Sequence, residues 1–317
     1  MSEESLGVGA ANELFVRGQE QIGRVIAGQQ EVIAQALMTM LCGGHALIEG
    51  VPGVAKTLAR FLGLEFKRVS GTPDMMPADI LGTSVFSPKT GDFSFHKGPV
   101  FTQFLLTDEI NRMPPRTQAA LLESMEERQV TADGERHLLD DFFTVFATQN
   151  PVEFEGTYPL PEAQLDRFLL KIRMEYPDVA EERVVLERHH AALDSAGLSE
   201  TVIEPVAFEL LAAARREVRA VRVEPAIFDY LLAVVRRTRA WPTIALGASP
   251  RASTGLLLVA KAFAAREQRD FVIPDDVKEA ALPVLRHRLV LRPEAELEGL
   301  DTDRVVRDVL AATQVPK

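Results

Sequence analysis

Gly50-Val51-Pro52-Gly53-Val54-Ala55-Lys56-Thr57 is the stretch whose reading decides the fold. It follows the apolar run Ala46-Leu47-Ile48 and precedes a helix-like run from Leu58 to Leu64. Strand, glycine-rich turn and helix, in that order, make the setting of a phosphate-binding P-loop. Glycines let backbone N–H groups turn inward around an anion, and the following helix points its positive dipole end at the same spot. In this reading Gly50 to Ala55 wrap the phosphates, Lys56 reaches the β- and γ-phosphates, and the Thr57 hydroxyl ligates Mg2+. Ala55 stands where glycine is usual, and alanine fits there if the residue already has helical φ/ψ. Taken alone, the stretch also reads as an ordinary strand-to-helix turn.

Downstream, Phe104-Leu105-Leu106-Thr107-Asp108-Glu109 is an apolar run ending in two carboxylates. Acids at the C-terminal end of a buried strand lie at the ligand edge of an open α/β sheet. After a P-loop, the pair resembles a Walker B motif. Asp108 then orients Mg2+ through water, and Glu109 positions and polarises an attacking water. A third buried-strand pattern, Phe142 to Ala147, runs into Thr148-Gln149-Asn150-Pro151. Asn150 is either a sensor of the γ-phosphate or an Asx turn before the proline. Arg167, in Leu165-Asp166-Arg167-Phe168, is either half of a structural ion pair or an arginine finger reaching a neighbouring subunit's ATP.

Together these segments resemble the MoxR group of AAA+ ATPases. The likeness rests on Gly50–Thr57, Asp108–Arg112, Gln118–Val130, Ala147–Pro151, Glu155–Phe168 and Gly247–Ala252, and runs along nearly the whole chain beyond its first ten or so residues. It implies an α/β AAA+ P-loop core, a parallel sheet flanked by helices with β-hairpin inserts, followed by an all-α lid. It puts Asn150 at the sensor-1 position, Arg167 at the finger position and Arg251 at the sensor-2 position of the lid. The residues agree in part: Ser249-Pro250 is a sound helix start, while an arginine in the first turn opposes the helix dipole, so something else should reward Arg251. Ile26 and Gly28 fall where such proteins cover the adenine, although Gly28 also reads as a helix-capping glycine.

The activity implied is Mg2+-dependent hydrolysis of ATP in a homo-oligomeric ring, most often a hexamer. The cycle would drive chaperone-like remodelling or maturation of other proteins, including metal-cofactor insertion, on partners bearing a von Willebrand factor A domain. Two other classes compete: a nucleic-acid motor of the helix-2-insert type, and an ATP-gated scaffold with little turnover.

Composition narrows the field. Among 317 residues, 35 basic against 46 acidic side chains leave a net charge of −11, which argues against a broad nucleic-acid surface. Cys42 is the single cysteine, so no internal disulfide forms, and it reads as a small buried hydrophobe. Met1 to Ala11 lacks a signal-peptide pattern, and no apolar run approaches the ~20 residues of a membrane helix; a cytoplasmic location is expected. The histidines show no metal-ligand spacing.

The spacing predicts a leader over residues 1–10, a nucleotide-binding core over 11–177 and a helical lid over 178–317. Within the core, Asn12 to Ala27 and Gln30 to Leu41 read as helices and Phe66 to Ser70 as a second strand. Two hairpins are expected, Thr83–Phe86 with Asp92–His96, and Gln129–Thr131 with His137–Leu139 around Asp133-Gly134. In the lid, Ile227, Leu231, Val234 and Val235 form one helical apolar stripe, and Leu256, Val259, Ala260 and Phe263 another. Pro283 should kink or end its helix.

Overall fold

The computed structural model describes residues 9–26, 28–50, 53–86, 88–89, 91–149, 156–174, 179–190 and 203–316. Most of the leader and the expected boundary at 177 and 178 lie outside these residues. Helices α1 (Ala10–Val25) and α2 (Gln30–Cys42) lead into β1 (Ala46–Glu49), and α3 (Gly53–Phe61) follows the P-loop. α2 buries most of its surface, because Val32, Ile33, Leu37, Met38 and Met40 surround it with apolar side chains.

The remaining strands of the main sheet are β2 (Phe66–Ser70), β5 (Phe104–Asp108), β8 (Thr144–Gln149) and β9 (Leu170–Arg173). Their order is β2-β5-β8-β1-β9, and every pairing is parallel. β5 and β8 are buried along nearly their whole length, as parallel strands covered on both faces should be. Phe104 stacks on Phe146 with ring centroids 4.8 Å apart, tying the two middle strands together.

Both expected hairpins form. β3 (Gly82–Phe86) pairs antiparallel with β4 (Phe93–Lys97), and β6 (Gln129–Ala132) with β7 (Glu135–Leu138). Short α4 (Pro77–Leu81) precedes the first, and α5 (Pro115–Glu127) runs directly into the second. Phe95 stacks on His137 at 4.2 Å between centroids, and Ser84 Oγ donates to Asp133, so the hairpins are clasped together. The tip of the first stays apolar and open: Phe86 is 50% exposed and Phe93 72%.

After α6 (Glu162–Leu165), β9 and α7 (Val179–His190), the chain is chiefly helical: α8 (Phe208–Ala220), α9 (Pro225–Arg239), α10 (Pro250–Arg266), α11 (Pro274–Leu285), α12 (Pro293–Leu297) and α13 (Thr302–Ala312). Proline opens several of them, where its missing N–H costs nothing. All eight residues of the two expected stripes are buried or nearly so. Pro283 lies in the last turn of α11, which ends at Leu285. A small ladder, β10 (Ile244–Leu246) with β11 (Val290–Leu291), adds strand to this part; segments of three and two residues are too short to show an alternating pattern in sequence. α11 packs against β9 and so covers an edge of the sheet. The apolar interior is continuous from Leu170 and Ile172 to Leu256 and Val284. No described helix is long and apolar enough to cross a membrane.

Candidate functional site

Because the five strands run in parallel, their registers bring Glu49, Ser70, Asp108, Gln149 and Arg173 to one edge of the sheet. Gly50 follows immediately with φ 134°, a conformation that favours glycine, and a Cβ there would press on Met174. Gly53 opens α3, and a Cβ on it would meet nothing within 4 Å, so space stands free above the helix N-terminus. Lys56 is exposed, and no hydrogen bond or ion pair holds its Nζ among the described residues. Ala55 and Val54 are buried inside the first turns of α3, which meets the condition the sequence set for alanine at that place. Thr57 is buried, and its hydroxyl donates to the Gly53 carbonyl at 3.2 Å. Val51, Pro52 and Asn150 lie outside the described residues.

Asp108 ends β5 with its side chain 8% exposed. Arg68 donates to its Oδ2 from Nε at 2.6 Å, and Thr148 Oγ1 donates to its Oδ1 at 3.2 Å. The same Thr148 hydroxyl accepts from the Glu109 N–H at 2.9 Å. One side chain from the neighbouring strand thus holds both acidic residues. Glu109 has φ 52°, a left-handed conformation uncommon outside glycine, and such strain clusters at functional sites. Gly71 makes room for it: a Cβ at Gly71 would overlap the Glu109 carbonyl. Arg112 pairs with the Glu109 carboxylate at 2.9 Å.

Glu49 closes this edge toward the lid. It accepts from Lys171 at 2.5 Å, Gln149 at 3.2 Å and Arg173 at 3.4 Å. Burial pushes its pKa up, but Lys171, Gln149 and Arg173 outweigh that and hold it below the ordinary carboxylate value. Arg173 and Arg286 both reach Asp303 at the start of α13. The P-loop strand is thereby linked to the last lid helix through charge pairs.

The two remaining arginines lie elsewhere. Arg167 precedes β9, whose first residue Leu170 pairs with Ala46 at the start of β1. Leu169 N–H donates to the His45 carbonyl, one residue before β1. Arg251 begins α10, where the Ser249 side chain caps the helix by accepting from the Arg251 N–H at 3.1 Å. Both guanidinium groups meet Glu126 near the end of α5: Arg251 Nη2 at 2.5 Å and Arg167 Nε at 3.8 Å. Glu126 follows Met125, whose carbonyl takes a hydrogen bond from His45 Nε2 at 3.2 Å. Arg167, Arg251 and Glu126 therefore gather at the sheet edge opposite the P-loop, ~15 Å away at the rise of a strand. Among the described residues, no hydrogen bond or ion pair joins either arginine to Gly50, Gly53 or Lys56.

Asp166 fastens this second edge. It accepts from Arg288 Nε at 2.8 Å and from Ser249 Oγ at 2.8 Å. Arg288, its side chain 2% exposed, also donates to the carbonyls of Phe168, Leu169, Asp166 and Val284. Asp166, the residue before Arg167, is thus joined to the N-cap of the helix that carries Arg251.

Gly28 lies past the end of α1 with φ 73°, as a capping glycine does. A Cβ there would collide with the Glu181 carboxylate of α7. Ile26 is half-buried against the core. For Mg2+, the hydroxyl of Thr57 and the carboxylate of Asp108 are the hard oxygen donors such an ion takes, usually one or two protein ligands beside waters and phosphates. Both Asp108 oxygens are already engaged, which suits a hold through water. The described residues hold no cluster of three or more His, Cys, Asp or Glu side chains fit for an all-protein metal cage. The residues therefore fit Mg2+ brought in with a nucleotide.

Sequence reading passed over Arg68, Arg112, Thr148, Glu126 and Arg288, and it considered Asp166 only as an ion-pair partner of Arg167, whereas Asp166 pairs with Arg288 and Arg167 with Glu126. Only Glu126 carried an overlooked signal: a carboxylate in the last turn of a helix opposes the dipole, as Arg251 does in a first turn.

The geometry is that of a P-loop ATPase with a lid, and known proteins agree. Residues 45–170 match the ATPase family associated with various cellular activities (AAA), and residues 236–309 an AAA lid domain. Chaperone MoxR1 of Mycobacterium tuberculosis is 40% identical, covering 98% of this chain and 85% of its own. Protein MoxR of Methylorubrum extorquens is 33% identical over 93% of this chain and 92% of its own. The chain belongs to the MoxR family of AAA+ ATPases. An uncharacterized protein of Bacillus subtilis, YeaC, is 45% identical over 96% of this chain and 95% of its own. The crystal structure of a putative ATPase from Cytophaga hutchinsonii superposes with a TM-score of 0.86 at 38% identity, covering 97% of each chain. This MoxR-family protein is accordingly an ATPase with a chaperone-like role, and its helical C-terminal part is an AAA lid.

Proposed function

We propose that this protein hydrolyses ATP with Mg2+ in a homo-oligomeric ring, a hexamer as is most common in the superfamily, and uses the cycle to remodel or mature partner proteins. The observation that carries the ring is the gathering of Arg167 and Arg251 on the sheet edge opposite the P-loop. A γ-phosphate bound at one subunit's P-loop then meets the arginines of the next. Fingers of this kind are worth ~10³–10⁵ in turnover. Within a subunit, Lys56 and the N–H groups of the P-loop grip the phosphates, Glu109 takes the proton of the attacking water, and Asn150 orients that water. Thr148 keeps Glu109 and Asp108 in register. When bound, Mg2+ neutralises charge on the phosphate oxygens, with Thr57 and Asp108 as its protein partners. Ile26 and Gly28 border the adenine.

The hairpins favour a protein client. Phe86 and Phe93 at the tip of the first hairpin offer apolar contact, with exposed Leu138 at the root of the second, and the net charge of −11 opposes a phosphate backbone. A partner with a von Willebrand factor A domain, and insertion of a metal cofactor into a client, are the finer roles we assign by family likeness.

Mixing tests the ring. Lys56→Ala removes a subunit's own grip on ATP, and Arg167→Ala removes what it gives its neighbour. Each should be inactive alone. Mixed and reassembled, they should regain a substantial fraction of turnover, because a Lys56→Ala subunit still lends its arginines to an Arg167→Ala subunit. Absence of any recovery in rings shown to be mixed would sink the trans reading. For the client, Glu109→Gln held with ATP should retain a protein from nuclease-treated lysate that Lys56→Ala does not.

A further inference from the structure

We infer that Glu126 is a positioning residue that makes Arg167 and Arg251 one two-armed clamp for the neighbouring subunit's γ-phosphate; this rests on the trans reading above. Two guanidinium groups brought to one place repel each other, and a carboxylate between them offsets that. Glu126 gives one oxygen to each, Oε1 to Arg251 and Oε2 to Arg167. Arg251 gives Glu126 one hydrogen bond, from Nη2, and Arg167 faces it as an ion pair at 3.8 Å. A guanidinium has five N–H donors, and the others on these two have no side-chain or backbone acceptor among the described residues. Those donors remain for a planar or tetrahedral anion, which guanidinium forks match well.

The placement of the trio is informative. Glu126 lies in the last turn of α5 and Arg251 in the first turn of α10, so each is at the helix end its charge disfavours. They satisfy each other, with side chains still 37% and 41% exposed. A pair that open adds little to stability, which leaves positioning as the use of both mismatches. The supports are rigid. His45 holds the Met125 carbonyl, Arg128 Nη2 donates to the Gly43 carbonyl at 2.7 Å, and Asp166 bonds Ser249 beside Arg251. Glu126 therefore fixes where the two charges stand relative to the sheet, hence to a phosphate presented from outside.

The experiment is steady-state ATP turnover by assembled rings of Glu126→Ala, Glu126→Gln, Arg251→Ala and the double variant Glu126→Ala/Arg251→Ala, with Arg167→Ala alongside. Glu126→Ala should lower kcat by about 10- to 100-fold, the scale of a catalytic group left loose by about 1 Å, with the KM for ATP and the melting temperature unchanged. Glu126→Gln keeps an acceptor oxygen and should recover part of the loss. In the double variant the losses should combine to less than their product, since part of the effect of Glu126 runs through Arg251 and only the part through Arg167 remains. Glu126→Ala mixed with Lys56→Ala should regain turnover. An unchanged kcat for Glu126→Ala, losses that multiply in the double variant, or a loss that follows the melting temperature would each overturn the assignment while leaving the trans reading intact. Normal turnover in Arg167→Ala and Arg251→Ala would instead remove the trans reading, and this inference with it.

Discussion

The two edges of the central sheet are built from opposite materials. At the C-terminal edge stand Asp108, Glu109 and Glu49 around a glycine-rich turn, with Lys56 turned to solvent. At the N-terminal edge stand Arg167 and Arg251 around Glu126, braced by Asp166 and the buried Arg288. Five parallel strands keep these sets apart, because a strand cannot fold back on itself within four residues. In the ring proposed above, each subunit carries the acceptor half of one hydrolytic site and the donor half of another. The difference teaches that a parallel sheet, by fixing the distance between its ends, sets apart groups that only a neighbouring copy could bring together.

The largest expected effect breaks this comparison at the arginine edge. Arg167→Ala should lose ~10³–10⁵ in turnover yet bind ATP as the parent does, read by nucleotide titration beside kinetics. Weakened binding by isolated subunits would mean that the two edges are not independent. Glu109→Gln acts at the other edge and should cost ~10²–10⁴ in kcat, again with ATP retained. A Glu109→Gln protein that turned over normally would move the base to another residue.

The third effect is structural. Asp166→Ala leaves the Arg288 guanidinium buried without its carboxylate, at a cost of about 3–5 kcal/mol of folding stability in a denaturant titration. The P-loop edge should be spared, so Lys56→Ala should leave stability nearly unaltered. Equal losses from the two would erase the contrast between a buried brace and an open loop.

The smallest effect is a pH dependence. Val145 N–H donates to His45 Nδ1 at 2.9 Å, so His45 is neutral and its Nε2–H donates to the Met125 carbonyl. Burial first, then Arg128, lowers its pKa to about 3. His287, buried near Arg288, is likewise held well below its ordinary value. In the unfolded chain both imidazoles protonate near pH ~6.5. Stability conferred by keeping them neutral is complete above that pH and is lost as pH falls below it, by about 1.4 kcal/mol per pH unit for each histidine, for His45 until pH reaches about 3. His45→Gln should flatten the slope by one proton; an unchanged slope would show that His45 is already charged in the fold.

The first edge was more legible in the sequence than the second, and the reason is local. Gly50 to Thr57 and Asp108-Glu109 are contiguous stretches in which strand, turn and helix follow at once, so the motif carries its own geometry. The hairpins were legible for the same reason, from short-range alternation around Gly91 and Gly134. Arg167 and Arg251 could be named by family resemblance, but that they meet at Glu126 depends on pairs 41 and 125 residues apart, which no periodicity encodes. Thr148 was hidden because a threonine inside a buried strand reads as ordinary β-propensity. Arg68 and Arg288 gave no pattern either, as Arg68 meets Asp108 on another strand and Arg288 meets Asp166, 122 residues away.

The clasp between the hairpins has a mechanical reading. Phe95 on His137 and Ser84 on Asp133 join two thin ribbons side by side, and ribbons joined so share a load as springs in parallel do: their stiffnesses add. Tension applied at Phe93 is then passed through the stacked rings to the root of β6. That root begins at Gln129, three residues after Glu126. In the proposed ring, a tug on the exposed tip and the electrostatic arrival of a neighbour's nucleotide would strain the same short piece of backbone, with Arg128, itself at φ 49°, between them.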